Sequence, residues 1–240
     1  MNKTTILAVL TAALSLAASS PAMAQAQPPT SIFVDVNVGA QTQSRTIESS
    51  TSFPLYGETA IINAAQSIGG GALFDISGGY RFMRKFGVAL GVSTFSKSGE
   101  GSLVAAIPSP IAVNRFATVT STATDVKHKE LGTHLMFVYF VPVLTNFDVS
   151  VFAGPSFFHL TQDVLSATVP AGTQTISVAR QSQKGNGTGA NAGINFNYMF
   201  RPNYGGGLFI RYAGATVDLP SAAGVKVGGL QVGVGVRLRF

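Results

Sequence analysis

The chain has 240 residues and a formal net charge of +6, but only 11% of its residues are charged, against 27 glycines and 17 phenylalanines. An average soluble domain contains about 25% charged residues, so this composition argues against a freely soluble protein. The basic residues are scattered along the chain, which gives no basis for a nucleic-acid partner. Cysteine is lacking, so disulfides and thiolate metal sites are excluded.

The first 24 residues have the pattern of a secretory signal peptide. Lys3 gives a positive start, an apolar run follows over residues 4–18, and Ala22-Met23-Ala24 matches the small-residue cleavage motif. A transmembrane anchor is the alternative, but an apolar run of about 15 residues is short for a bilayer span. We predict a cleaved signal peptide over residues 1–24, a short lead over 25–30 and a single domain over 31–240.

The predicted domain contains eight segments in which apolar and polar residues alternate with a period of two. This period is typical of β-strands, because successive side chains point to opposite faces. The predicted strands are residues 31–40, 72–82, 86–95, 131–141, 147–157, 189–200, 204–213 and 227–240. In the last of them, one face carries Leu230, Val232, Val234, Val236, Leu238 and Phe240, and the other carries Gln231, Gly233, Gly235, Arg237 and Arg239.

Seven charged residues of these segments share the phase opposite to the large apolar side chains: Asp35, Asp75, Arg81, Asp148, Arg211, Arg237 and Arg239. An arginine facing lipid near the bilayer midplane costs roughly 2–4 kcal/mol, so the pattern predicts an antiparallel transmembrane β-barrel with an apolar outer wall and a polar lumen. A secreted β-sandwich also alternates, but it would expose a charged face. Here the polar phase is instead crowded with glycines.

The links between the predicted strands alternate between short and long. The short links are residues 83–85, 142–146 and 201–203, and the long ones are 41–71, 96–130, 158–188 and 214–226. Outer-membrane barrels have short periplasmic turns and long extracellular loops, so we expect both termini in the periplasm. Strand-like pieces at 117–123 and 175–178 either extend hairpins above the membrane or belong to flexible loops.

Aromatic residues gather beside the short links, where a girdle at the membrane interface is expected. The members of this predicted girdle are Phe82, Phe86, Tyr139, Phe140, Phe147, Tyr198, Phe200, Tyr204 and Phe240. The alternative is the ordinary strand propensity of aromatic residues.

Strand count, link alternation and the terminal row of apolar residues make residues 31–240 resemble the small eight-stranded outer-membrane barrels of Gram-negative bacteria, the OmpA- and OmpX-like proteins of the porin-family group. The resemblance implies contact with outer-membrane lipid and lipopolysaccharide in the cell outer membrane. It also implies that Val236, Leu238 and Phe240 form the assembly signal for the barrel-insertion machinery. Because the sequence ends at Phe240, we expect no peptidoglycan-binding domain. We also expect a monomer.

The first and last strands must pair to close such a barrel, which brings Asp35 close to Arg237 and Arg239. We therefore predict an ion-pair network inside the lumen, joined by Asp75, Arg81, Asp148 and Arg211. Individually hydrated charges in a wet lumen are the alternative.

Three functions are compatible with this pattern. The first is a structural protein whose long loops bind a partner outside the cell. The second is a channel for small solutes, although Phe152 and Phe209 point into an interior that is just wide enough for side chains. The third is an enzyme that modifies lipid A. We favour the first function.

The histidines give little support to the enzyme or to a metal site. The chain contains only His128, His134 and His159, and no Ser-His-acid motif is evident. His128 and His159 lie near the outer ends of neighbouring predicted strands, where proximity would indicate at most a weak metal site. We expect no enzymatic activity, no cofactor and no metal.

Overall fold

The computed structural model describes residues 32–240, so the predicted signal peptide, the lead and Ser31 lie outside the described residues. The described residues form ten strands. They are β1 Ile32–Gln41, β2 Arg45–Leu55, β3 Glu58–Ile68, β4 Gly71–Arg81, β5 Phe86–Pro108, β6 Phe116–Leu144, β7 Phe147–Thr168, β8 Ser177–Met199, β9 Tyr204–Leu219 and β10 Ala222–Arg239. Within residues 32–240 there is no helix with the length and apolarity needed to cross a membrane.

Eight of the strands pair side by side in a closed ring with the order β1-β4-β5-β6-β7-β8-β9-β10, and every pairing is antiparallel. The ring closes between β1 and β10, where Asp35 lies opposite Arg237 and Val38 lies opposite Val234. Closure gives every strand of the ring two neighbours, which removes the unpaired edges of an open sheet. The predicted all-β antiparallel barrel is confirmed.

The other two strands correct the predicted count of eight, because part of the link 41–71 is a hairpin and not a loop. β2 and β3 pair along their whole length around the turn at Tyr56 and Gly57. Both turn residues have positive φ, 53° and 80° respectively, as a two-residue type I′ hairpin turn requires. β3 then pairs with the upper part of β5, so the hairpin is attached to the barrel wall.

The predicted loops 96–130 and 158–188 are mostly strand, which corrects their boundaries. β5 and β6 stay paired from Ser96 opposite Lys129 to Pro108 opposite Phe116, and only residues 109–115 connect them. At about 3.3 Å per residue this extension is roughly 40 Å long. The strand-like piece 117–123 lies within β6, and residues 177 and 178 open β8. Together with the β2–β3 hairpin these extensions form a structure that we call the head, opposite the short turns.

The outer wall of the ring carries an apolar belt of exposed side chains: Ile76, Leu90, Val92, Leu135, Phe137, Leu208, Ile210, Val232, Val234 and Val236. The inward face carries buried polar and charged groups. Phe140 corrects the predicted girdle, because it lies in the inward phase and is only 2% exposed. Its ring packs against Phe33 at 5.5 Å between centroids, and the Arg81 guanidinium lies 3.7 Å from its centre.

Candidate functional site

The lumen near the short turns contains contacts between the closing strands. Arg239 donates a hydrogen bond of 2.7 Å to Asp35, and the Arg237 Nε lies 3.9 Å from the same carboxylate oxygen. Arg237 also donates to the side-chain oxygens of Asn37 at 2.6 Å and Asn197 at 2.7 Å. These contacts fix the orientation of Arg237, which is fully buried.

The contacts continue towards the middle of the lumen through residues of different strands. Asn37 donates to Asp75 at 2.9 Å, and Asp75 lies 2.8 Å from the Arg211 guanidinium. Arg211 in turn donates to Gln231 at 2.7 Å. Because β4 and β9 are not neighbours in the ring, the Asp75–Arg211 pair bridges the lumen and fixes two parts of the wall to each other.

The other two charged residues of the predicted network have different surroundings. Asp148 accepts a hydrogen bond of 2.8 Å from the Asn197 amide. Arg81 lies over Phe140, and no ion pair joins it to a carboxylate among residues 32–240. The predicted network contained charged residues only and left out the amides Asn37 and Asn197, which the structure places in it. Both amides lie in the inward phase of their strands, and this phase could have identified them in the sequence.

Aromatic and aliphatic side chains fill the space that the polar chain leaves. The cavity in the middle of the lumen has a volume of about 20 Å³ and is lined by Phe33, Phe152, Phe209, Asp75 and Arg211, among others. A cavity needs about 10–15 Å³ to hold one water molecule. The lumen therefore has room here for about one water molecule and not for a column of water.

His134 contacts hydroxyl groups through both ring nitrogens. Its Nε2 lies 2.8 Å from the Ser93 hydroxyl and its Nδ1 lies 2.8 Å from the Ser156 hydroxyl, which also accepts from Asn191. A Ser-His-acid arrangement places a carboxylate where Ser156 stands here. The group is buried within the barrel, so it satisfies the polar atoms of a histidine inside the wall and offers no path for a lipid.

The proposed proximity of His128 and His159 is wrong. His128 points inward and is fully buried, whereas His159 points outward and lies 2.7 Å from the Asn186 side chain. The period of two explains the separation, because the two residues occupy opposite faces of the wall. Among the described residues no group of three or more histidine, aspartate or glutamate side chains could hold a metal ion.

A cluster of polar side chains lies inside the barrel at the base of the head. Glu130 lies 2.7 Å from Arg45 and 2.6 Å from His128, and it accepts from the Gly228 amide at 2.8 Å. Arg45 also donates to the backbone oxygens of Lys226, at 2.5 Å, and Gly228. Arg45 therefore ties the β2–β3 hairpin to β10, with which β2 shares no strand pairing.

The cluster keeps Glu130 ionised at neutral pH. Glu130 lies above the apolar belt, next to the exposed Lys129. Burial by itself raises the pKa of Glu130, but the hydrogen bond with His128 and the charge of Arg45 outweigh burial and hold the pKa below its ordinary value. Since this pKa is lowered, the cluster stabilises the fold above the ordinary carboxyl pKa, and the stabilisation is lost as the pH falls through the lowered value.

The head has an apolar core of its own, made by Ile62, Ala64, Leu103, Ala105, Ile107, Val126 and Leu165. Its turns also contact one another. The Tyr56 hydroxyl lies 3.1 Å from both the backbone nitrogen and the backbone oxygen of Thr173, and the Asn114 amide donates to Glu58 at 2.8 Å. These contacts join the β2–β3, β5–β6 and β7–β8 turns, so the head is a packed unit and not a set of free loops.

A closed antiparallel ring with an apolar outer belt and buried lumen charges is the architecture of a transmembrane β-barrel. The chain belongs to the outer membrane protein beta-barrel domain family, whose model matches residues 10–237. It is an outer-membrane β-barrel protein of the Gram-negative type, as the sequence predicted.

Solved structures of outer-membrane proteins share this fold. The outer membrane protein OprG from Pseudomonas aeruginosa is 13% identical, with 91% of this chain and 99% of that chain covered and a TM-score of 0.51. The outer membrane protease OmpT from Escherichia coli is 10% identical, with 90% and 99% covered and a TM-score of 0.50. At such identities the likeness shows the fold alone. No sequence among the curated proteins matches the chain.

Proposed function

We propose that this protein is a sealed outer-membrane anchor that presents a packed head outside the cell for surface interaction. The observation that carries the proposal is the head itself, which has an apolar core and turns that contact one another. A segment that served only as a connection would not need a core. In this proposal the barrel holds the head in the membrane as a monomer, and a partner outside the cell binds the head.

The proposal places lipid and lipopolysaccharide around the apolar belt and the barrel-assembly machinery at the end of β10. The terminal row supports the second role. The side chains of Val236 and Phe240 are exposed on the outer wall, and the backbone of Phe240 exchanges hydrogen bonds of 2.9 and 3.1 Å with Ile32. In this role the assembly machinery binds Val236, Leu238 and Phe240 as an outward-facing row before β10 pairs with β1.

A small-solute channel is the competing function, and the filled lumen opposes it. We expect the purified mature protein to show no discrete conductance steps in planar bilayers, because about 20 Å³ in the lumen does not form a water path. A general porin reconstituted in the same way is the positive control. Reproducible unitary steps from the folded protein would contradict the sealed anchor and favour the channel.

Orientation is testable because the chain contains no cysteine of its own. We expect Ala112→Cys, in the β5–β6 turn of the head, to react with a membrane-impermeant maleimide on whole cells. Lys85→Cys, in a short turn that we place in the periplasm together with both termini, reacts only after the outer membrane is opened. Labelling of Lys85→Cys on intact cells would reverse the proposed topology.

We propose no enzymatic role. The buried hydroxyl–histidine group of Ser93, His134 and Ser156 supports this, since it has no carboxylate and is enclosed by the wall. Expression of the protein in a host is expected to leave the mass spectrum of lipid A unchanged. A new lipid A species that disappears with His134→Ala, in protein that still folds, would revive the enzyme hypothesis.

A further inference from the structure

The turn at the top of the head presents aliphatic side chains to solvent. Ile111 is 93% exposed and Val113 is 79% exposed, and Phe116 at the start of β6 is 51% exposed. The turn is nevertheless fixed, because the Ser109 amide donates to the Arg115 oxygen at 2.7 Å and the neighbouring Glu58 accepts from Asn114. We call residues 109–116 the tip. Exposed apolar groups held in a fixed turn are typical of contact surfaces.

The outer face of the same head contains a groove of about 380 Å³ between β2, β3 and β5. Its lining residues are Glu48, Ser49, Ser50, Asn63, Ala64, Ala65, Ser102 and Val104. The floor combines apolar side chains, Ala65 and the half-exposed Val104, with the small polar side chains of Ser50 and Ser102. The exposed Glu48 contributes a negative charge. The groove has room for aliphatic side chains, and the negative charge of Glu48 could pair with a basic side chain of the partner.

The tip complements this groove in shape and in charge. The tip exposes the aliphatic side chains of Ile111 and Val113, and its one charged residue is the exposed Arg115. No acidic residue occurs between Glu100 and Asp125, so Arg115 is the one charge within the tip, and the Glu58 carboxylate contacts the tip at the Asn114 amide. Seating Ile111 and Val113 in the groove would remove apolar surface from water and bring Arg115 to Glu48. A tip cannot reach the groove of its own head, because the turn is fixed at the end of β5 and the groove lies further down the same strand.

We propose that the partner of the head is a second copy of this chain on a facing membrane, with the tip of each copy seated in the groove of the other. The inference rests on the proposed function, in which the head lies outside the cell. It adds the identity of the partner and the residues that make the contact.

The position of the two surfaces along β5 decides the arrangement. Val104 in the groove and Ile111 in the tip are separated by roughly 20 Å along the strand direction. Two copies in one membrane stand at the same height, so the tip of one is about 20 Å too high for the groove of its neighbour. An inverted copy on a facing membrane has its tip at the height of the first groove and its groove at the height of the first tip. The pair is therefore two-fold symmetric and closed.

The test uses two populations of lipid vesicles that carry the purified mature protein and different fluorophores. Wild-type protein is expected to cluster the two populations, measured by energy transfer between the fluorophores. We expect Arg115→Glu and Glu48→Arg each to lower the apparent affinity by about tenfold or more, since each places like charges in the contact. The double variant, Arg115→Glu with Glu48→Arg, restores the opposite charges and is expected to recover clustering.

Controls separate this contact from general charge and folding effects. Lys184→Glu makes the same charge change at an exposed position of β8 and is expected to leave clustering unchanged. The heat-dependent shift in gel mobility shows that each variant is folded. Substituting Ile111→Ser and Val113→Ser together is expected to abolish clustering.

Several results would overturn the proposal. They are the failure of wild-type protein to cluster vesicles, single charge variants that cluster normally, a double variant that does not recover, and equal clustering with vesicles that contain no protein. The last result would assign the tip to a lipid surface. Maleimide labelling of Ala112→Cys on whole cells reports separately on the position of the head. Normal labelling without clustering therefore overturns the pairing and leaves the proposed function standing.

Discussion

Replacing Arg237 with alanine is expected to lower the free energy of unfolding of the barrel by about 2–6 kcal/mol, because each buried amide oxygen left without its donor costs about 1–3 kcal/mol. Arg237 is fully buried, lies 3.9 Å from Asp35 and donates to Asn37 and Asn197. Its removal leaves both amide oxygens without this donor in a lumen that has little room for water. Asp35 keeps Arg239, which limits the loss.

The effect is measured by urea unfolding of the folded protein in lipid vesicles, together with the temperature at which its gel mobility changes. Arg201→Ala is the matched control, because it removes an arginine from an exposed short turn and is expected to change the unfolding free energy by less than about 0.5 kcal/mol. Equal midpoints for Arg237→Ala and wild type would show that the lumen charges are individually hydrated and that no network stabilises the barrel.

Replacing Val234 with arginine is expected to cost about 2–4 kcal/mol of barrel stability in a bilayer, because it places a charge on the lipid-facing wall near the midplane. Val234 is 53% exposed and lies between the outward Val38 of β1 and Leu208 of β9. Its surroundings on the outer wall are therefore apolar, and no carboxylate is placed there to pair with a new arginine.

Ser182→Arg is the control for this substitution, because it introduces the same side chain at an exposed position of β8 in the head, where water is available. Urea unfolding in vesicles is expected to give a free energy close to that of wild type for Ser182→Arg and a clearly lower one for Val234→Arg. Equal stability of the two variants would mean that Val234 does not face lipid, which would contradict the position of the apolar belt.

The alternation of side chains predicted most of the barrel wall. Two faces are already defined by the alternation of Leu230 and Val232 with Gln231 and Gly233. The charged residues then show which face points inward, because a charged side chain facing lipid is costly. The segments 41–71 and 96–130 could not be assigned in the same way. Above the belt the two faces of a strand contact either water or a small core. Serine, threonine and alanine therefore occur on both faces, and the alternation of apolar and polar residues is weak.

The candidate lumen contacts were predictable only in part. Asp35 with Arg239 follows from the pairing of the first and last strands, which any closed barrel needs. The Asp75–Arg211 pair does not follow from strand order, because β4 and β9 are separated by two other strands and approach only across the lumen. Strand tilt and stagger decide which inward side chains meet there, and a period of two does not encode them.

The sequence by itself determined the two faces of each strand, the class of barrel and the charged side chains that line its lumen, because these depend on the alternation of residues and on the cost of placing charge in lipid. Only the tertiary structure decided the partners of those charges and the packing of distant turns such as Tyr56 and Thr173 into a head. These features depend on register, tilt and contacts between residues far apart in the chain, where local patterns carry little information.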